Sequence, residues 1–227
     1  MMDIRRILVG LDASPLSVAA LRAAHLLAAR LKADLRGLYV EDANLARLSD
    51  HPEVALVSVL HRRRRDDHAD LIADALKLQQ TAVRRACAAL GMSAQSLALR
   101  QGQVATELAR AAQDCDLLVL GWHGRHPRNA PPRLGSVATA LLPAAPCPLL
   151  LLRDGAAADT LGWQGLTALP GDSAAVAWAE SLSERLGLPW SVIVHPDYLP
   201  VGQLFITSGK DGLECRADAI LLLPASR

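Results

Sequence analysis

Apolar positions along the chain fall into short continuous runs, separated by longer stretches with helical spacing. The first run, Ile7 to Leu11, closes on Asp12. Ser14-Pro15 then fits a helix start, with Ser14 as N-cap and Pro15 at the first helical position, where a missing N–H costs nothing. Leu16, Ala20, Ala23, Leu27 and Leu31 recur at three- and four-residue steps, which predicts one buried stripe on a helix reaching about Arg30. Residues 33–40 (ADLRGLYV) read as a second strand. Glu41 to Leu60 is less regular and is expected to hold a short helix and a connection. Residues 69–90 form a long amphipathic pattern with Leu71, Leu76, Leu78, Val83 and Cys87 on the inner side, ended by Gly91. QSLALR (95–100) alternates polar and apolar, as a strand does. A turn at Gly102 leads into a helix through about Gln113. Leu117 to Leu120, a small-residue helical stretch opened by Gly135-Ser136, and Leu149 to Leu152 complete this part. Strand, helix and strand joined by short loops imply right-handed parallel crossovers. The expectation is an α/β fold with a doubly wound, five-stranded parallel sheet. Leu149 to Leu152 is expected at its edge, open to pairing with another chain.

After a small, polar linker at 154–160 the chain begins again. LTALPGDSAAVAWAESLSERLGLPWSVIV reads as strand, helix, strand, like residues 7–40. Arg185-Leu186 matches Arg30-Leu31, and Ala179 matches Ala24, at a constant offset of 155 residues. This is a weak internal repeat. The division expected is 1–153 for a complete domain and 161–227 for a smaller, degenerate and truncated copy. The copy lacks an acid equivalent to Asp12; Thr167 or Pro170 falls there, and Asp172 reads as a helix cap. Residues 216–223 are similar to the strand before the glycine loop of the first part, so no second loop of that kind is expected. About 70 residues with few elements make a marginal core alone, so the copy is expected to pair with the first part. His195, Asp197 and Tyr198 read as ordinary loop residues.

Composition narrows the class. At 51% hydrophobic and only 3% aromatic residues, the core must be built mainly from Ala, Leu and Val, which suits a parallel sheet covered by helices. The net charge of +1 hides an asymmetry. Residues 1–153 carry 20 Lys+Arg against 14 Asp+Glu, and residues 154–227 carry 4 against 9. A basic first part suits an anionic ligand, and opposite signs also favour docking of the two parts. The run His61 to Arg65 meets Asp66-Asp67 at once and has no interleaved aromatics, so it reads as a solvated helix start or loop, and no nucleic-acid partner is expected. None of the four cysteines forms a C-x-x-C pair. The first ten residues are too short and charged for a signal peptide, and no apolar run is long enough to span a membrane. A reduced, cytoplasmic protein is the expectation.

Candidate chemistry centres on residues 116–153. An apolar strand runs into Gly121, Trp122, His123 and Gly124, then a loop carrying Arg125, Arg128 and Arg133, then Gly135-Ser136 at a helix start. Glycines allow close backbone approach, and a helix start offers unpaired N–H groups, so the pattern suits a phosphate. Asp12 falls at the carboxyl end of the first strand, where open α/β sheets bind ligands; its plainer reading is a turn or cap. There is no G-x-x-x-x-G-K-[ST], G-x-G, G-x-S-x-G or H-E-x-x-H, so those hydrolytic, dinucleotide and zinc chemistries have no support.

G-x-H-G, ten residues from Arg125 to Leu134, then G-S-V and later P-C-P-L-L-L-L-R, resembles the nucleotide loop of the universal stress protein family. ILVGLDASPLSVAALRAAHLLA is similar to that family's first strand and helix, and the likeness runs almost continuously over residues 4–153. Here the spacer is one residue longer than the family's usual nine. The resemblance implies a universal-stress fold of the adenine-nucleotide α hydrolase-like type that binds ATP or a related adenine nucleotide. It implies Asp12 on the nucleoside, Val40 near the adenine, and Gly121, His123, Gly124, Gly135, Ser136 and Val137 around the phosphates, with Mg2+ able to accompany a triphosphate. Ala138 stands where the family commonly has Ser or Thr, with Thr139 adjacent. No general base is evident, so hydrolysis, if any, would be slow. A stress-response sensor or regulator is implied, with pairing of the repeats and a homodimer. The alternative is a universal-stress-like module that binds no nucleotide and serves dimerisation or partner interaction.

Overall fold

The computed structural model describes residues 3–43, 67–123, 134–143, 145–153, 162–195, 199, 202–208, 213, 217 and 219–224. Its first part contains β1 (Arg6–Leu11), α1 (Pro15–Leu31), β2 (Asp34–Asp42), α2 (Asp67–Ala89), β3 (Leu97–Gly102), α3 (Val104–Ala112), β4 (Leu117–Gly121), α4 (Ser136–Leu141) and β5 (Leu149–Leu152). Neighbouring strands in the order β3-β2-β1-β4-β5 are all parallel. This is the expected doubly wound sheet. The Asp116 carboxylate accepts from the backbone N–H groups of Arg5 and Arg6, each at 2.8 Å, and so fastens the start of β1 beside β4.

The helix limits follow from local chemistry. Ser14 caps α1, its Oγ accepting from the Ser17 N–H at 3.1 Å. Lys32 in a left-handed conformation ends the helix, its N–H bonded to Ala28 O. On α2, Val83 and Cys87 are buried as expected, but Leu78 is 72% exposed. Each residue turns an α-helix by about 100°, so Leu78 stands roughly opposite the half-buried Leu76. Leu71 lies outside the residues whose side chains are described.

The second part contains β6 (Gly165–Ala168), α5 (Ser173–Leu186), β7 (Trp190–Val192), β8 (Gln203–Thr207) and β9 (Ala219–Leu222). Within it the order β7-β6-β8-β9 is again parallel, and it mirrors β2-β1-β4-β5. The sequence pattern missed β8. By position β8 corresponds to β4, and β9 corresponds to β5. The strand at 219–222 is therefore not the counterpart of the strand before the glycine loop, as its sequence suggested.

Leu149 to Leu152 is not an edge. β5 lies between β4 and β9, and it meets β9 antiparallel with Leu149 opposite Leu222 and Leu151 opposite Ile220. The backbone groups expected to meet another chain are used by this one. Among the described residues the result is a single nine-stranded sheet with a buried cluster on each face. One cluster joins α1, the inner side of α2 and α5; the other joins α3, α4 and Phe205, Ile220 and Leu222 of the second part. Arg185 of α5 also donates to Leu31 O at 3.0 Å, completing a carbonyl at the end of α1.

Asp172 performs the expected capping role and one more. Its Oδ1 accepts from the Ala175 N–H at 2.9 Å, while Oδ2 accepts from the Ser208 N–H and hydroxyl at 2.6 and 2.8 Å. It ties the end of β8 to the start of α5. Burial alone would raise its pKa, but the Ala175 and Ser208 donors outweigh burial and hold it below the ordinary 3.8. A depressed folded-state pKa means that the stabilisation is complete above the unfolded value and fades as pH falls through the folded one. We expect Asp172→Ala to lose about 1–2 kcal/mol in urea unfolding at pH 7, with the difference from wild type shrinking below about pH 4.

Cys87, Cys115 and Cys147 are buried free thiols. Burial raises all three, and it pushes Cys147 up to about 12, assisted by nearby Cys115 and Asp116. The thiolate is the reactive form. Peptide mapping after iodoacetamide treatment at neutral pH should find these three labelled at least about tenfold more slowly in native than in urea-unfolded protein.

Candidate functional site

A cavity of about 500 Å3 opens at the carboxyl ends of β1, β2 and β4, where the sheet topology reverses direction and α/β folds bind ligands. Its volume is in the range of small-molecule sites. Asp12, Val40, Gly121, His123, Gly135, Ser136 and Val137 all line it. Seven of the eight residues singled out from the sequence thus meet in one place, although they come from four separate segments. The eighth, Gly124, lies outside the described residues, as do Arg125, Arg128 and Arg133.

Asp12 is placed by a compact turn. Its Oδ1 accepts from the Ser14 N–H at 2.9 Å, and its own N–H donates to Ser17 Oγ at 3.4 Å. The Ser17 hydroxyl donates onward to Ser14 O at 3.0 Å. Ala13 between them takes φ 61°, the left-handed region that residues with a Cβ adopt only at a cost. The turn reading and the cavity reading of Asp12 hold together: one carboxyl oxygen fixes the turn, and the residue still lines the cavity.

Trp122 forms the base of the glycine loop. Its N–H donates to Leu152 O at 2.6 Å, and its carbonyl accepts from the Gly135 N–H at 2.8 Å. These two bonds draw the flanks of the loop together whatever its path between them. The Trp122 ring is buried, and the Arg153 guanidinium lies 3.9 Å from its centre. Arg153 also donates to Leu213 O at 2.9 Å, so the base of the loop is linked to the second part of the chain. Gly121 is required by close packing, since a Cβ there would stand 2.9 Å from Leu16 Cγ.

Sequence reasoning missed part of the wall. Tyr39 lines the cavity beside Val40, and its hydroxyl donates to Gln79 Oε1 of α2 at 3.1 Å. Leu76, Gln79, Val104, Leu108 and Asp42 also contribute. Alternation along β2 could have identified Asp42 with Val40, whereas the α2 residues are brought in only by helix docking. Ala138 is buried and lines the cavity, and Thr139 is exposed outside it. The adjacent hydroxyl therefore does not replace the one missing at position 138. Among the described residues, the lining holds Asp12, Asp42 and His123 but no lysine or arginine. No cluster of three His, Cys, Asp or Glu suited to a metal occurs among them.

A family model described as the Universal stress protein family matches residues 3–153. The chain belongs to that family. No curated protein sequence matches it. Among solved structures, a universal stress protein from Archaeoglobus fulgidus DSM 4304 is similar at 14% identity and a TM-score of 0.54, over 92% of this chain and 69% of that one. A functionally unknown protein from Pseudomonas aeruginosa PAO1 is similar at 16% identity and a TM-score of 0.53, over 98% and 93%. A universal stress protein solved in complex with cAMP is 20% identical with a TM-score of 0.40, over 66% and 98%. The first two likenesses extend across both parts of this universal stress protein, so its whole sheet has precedent in fold. No helix among the described residues is long and apolar enough to cross a membrane.

The Trp122 ring is almost wholly buried. Trp122→Ala removes a large buried side chain and the ring beneath Arg153. It should lower stability by about 3–5 kcal/mol in urea unfolding.

Proposed function

We propose that this universal stress protein binds ATP or a related adenine nucleotide in the cavity at the carboxyl ends of β1, β2 and β4, and acts as a cytoplasmic stress-response sensor or regulator. The carrying observation is the convergence of Asp12, Val40, Gly121, His123, Gly135, Ser136 and Val137 on that cavity. In this reading Asp12 accepts hydrogen bonds from the ribose and Val40 packs against the adenine. Gly121, Gly124 and Gly135 let the backbone approach the phosphates. Ser136 supplies a hydroxyl and an N–H, with His123 and Val137 alongside. Mg2+ would be held mainly by phosphate and water oxygens. In this reading turnover is slow. Residues 161–227 would be a degenerate repeat acting as a built-in partner for 1–153; the mirrored strand orders support this.

A second reading, a module that binds no nucleotide, draws on different observations. The described wall offers two carboxylates and no lysine or arginine, and Ala138 provides no hydroxyl. Both features weaken phosphate recognition and leave it to backbone groups and to residues 124–133.

Denaturing the purified protein and chromatographing the supernatant tests for carried nucleotide. Calorimetric titration of ATP into wild type and Asp12→Asn then separates the readings. The asparagine keeps an acceptor for the Ser14 N–H but loses the charge. Binding to wild type that weakens about tenfold or more in the variant is expected, equivalent to about 1.4 kcal/mol. No released nucleotide, and no binding at millimolar ATP, would favour the interaction module.

A further inference from the structure

The cavity spans three neighbouring strands, and its wall changes character from one to the next. β2, β1 and β4 are adjacent in the sheet. The end of β2 contributes Tyr39, Val40 and Asp42, β1 leads into Asp12, and β4 ends on Gly121, across from Gly135 and Ser136. On the nucleotide reading the base lies at β2, the ribose at β1 and the phosphates at β4, which is the order of these groups along a nucleotide. Val40 offers the base an apolar contact. Such a contact holds a flat ring by its face and discriminates weakly between rings of similar shape. A hydrogen bond to the ring edge discriminates far more.

The β2 end also carries a hydrogen-bond donor. Successive strand residues point to opposite faces; Tyr39 belongs to the cluster that includes α1 and α2, and Val40 to the other. Tyr39 is buried, and its hydroxyl donates to Gln79 Oε1 at 3.1 Å. That bond fixes which way round the Gln79 amide stands. Gln79 is half-buried and lines the cavity together with Leu76, which lies one turn before it on α2. Its Nε2 carries two N–H groups and makes no hydrogen bond with any described residue. Among the described lining residues, the other side-chain N–H groups belong to Trp122 and His123. Both of these follow β4, and the Trp122 indole nitrogen is fully buried. Among the described residues, Gln79 is therefore the side-chain N–H donor at the base end of the cavity.

We propose that Gln79 is a specificity-determining residue that donates from Nε2 to a ring nitrogen of the purine, and that Tyr39 is a positioning residue that holds the amide in the orientation this needs. On the nucleotide reading, on which this assignment rests, the chemistry is one-sided. The adenine nitrogens N1, N3 and N7 each carry a lone pair in the ring plane, so each accepts and none donates. With its oxygen held by the Tyr39 hydroxyl, Gln79 turns its N–H groups to such an acceptor. An amide free to turn over could serve a ring N–H equally well. The Tyr39 bond thus makes a donor of a side chain that could otherwise be donor or acceptor, as the bond at one histidine nitrogen sets the role of the other. A purine with C–H in place of the contacted nitrogen would leave the Gln79 donor without a partner and lose that hydrogen bond.

Calorimetric titration of the full chain tests it with ATP and with 1-deaza-, 3-deaza- and 7-deaza-ATP, each of which has one ring nitrogen replaced by C–H. The proteins are wild type, Gln79→Met and Tyr39→Phe. Methionine matches glutamine in length without a donor, and circular dichroism checks the fold of each variant. One of the analogues should bind wild type about fivefold or more weakly than ATP does. In Gln79→Met, ATP should weaken by a similar factor, and the same analogue should bind like ATP. In Tyr39→Phe the discrimination should fall to about twofold or less, because the amide is free to turn over. A wild type that binds ATP and every analogue alike, or a Gln79→Met variant that keeps the discrimination, would overturn the role of Gln79 and leave nucleotide binding standing. Undiminished discrimination in Tyr39→Phe would overturn the role of Tyr39. A wild type that binds no ATP would overturn the nucleotide reading and this assignment with it.

Discussion

Four consecutive leucines, Leu149 to Leu152, lie between strands of opposite direction, and both of their backbone edges are satisfied within the chain. A buried strand with one open edge would leave a row of unpaired peptide groups. β9 supplies the missing partners antiparallel, and that choice fixes the direction of every strand beyond it. It also brings Phe205, Ile220 and Leu222 into the cluster that packs beneath α3 and α4. The second part, with one described helix, shares that cluster and the one on the other face, so it does not depend on a core of its own.

The same seam reaches the cavity. Arg153 directly follows β5, covers the ring of Trp122 and bonds to the carbonyl of Leu213. Trp122 in turn bonds to Leu152 and Gly135 on either side of the glycine loop. The loop base is therefore braced by the second part, although no described residue of that part lines the cavity. In the second part itself, the equivalent space between the first and central strands is crossed by the Asp172 bonds to Ser208 and Ala175. That carboxylate joins two elements.

Removing an element has a different consequence at each end of the sheet. β2 keeps a flanking strand and a covering helix, and its side chains become part of a cavity wall. β7 has α5 packed near it but no flanking strand among the described residues, and its side chains remain exposed. The two strands occupy corresponding places, so the contrast lies in their neighbours rather than in their own hydrophobicity.

Much of this was legible in the residues. Ser14-Pro15 and the stripe from Leu16 to Leu31 determined α1, because capping and helical periodicity are local. The runs at 7–11, 117–120 and 149–152 identified buried parallel strands, since strands covered on both faces are continuously apolar. Asp12 and the glycines were recognisable because strand ends and sharp turns restrict residue type at short range. Leu78 was misread because a hydrophobic residue near a stripe need not face inward. β8 was missed because QLFIT is short and lacks a clear flanking signal, and β9 was assigned to the wrong counterpart. Whether 149–152 would be edge or interior was also not a local matter. Its sequence set its need for two partners, but only the folded chain decided that the second would be β9, because pairing between residues about 70 apart depends on which strand has a free edge at the right height and face.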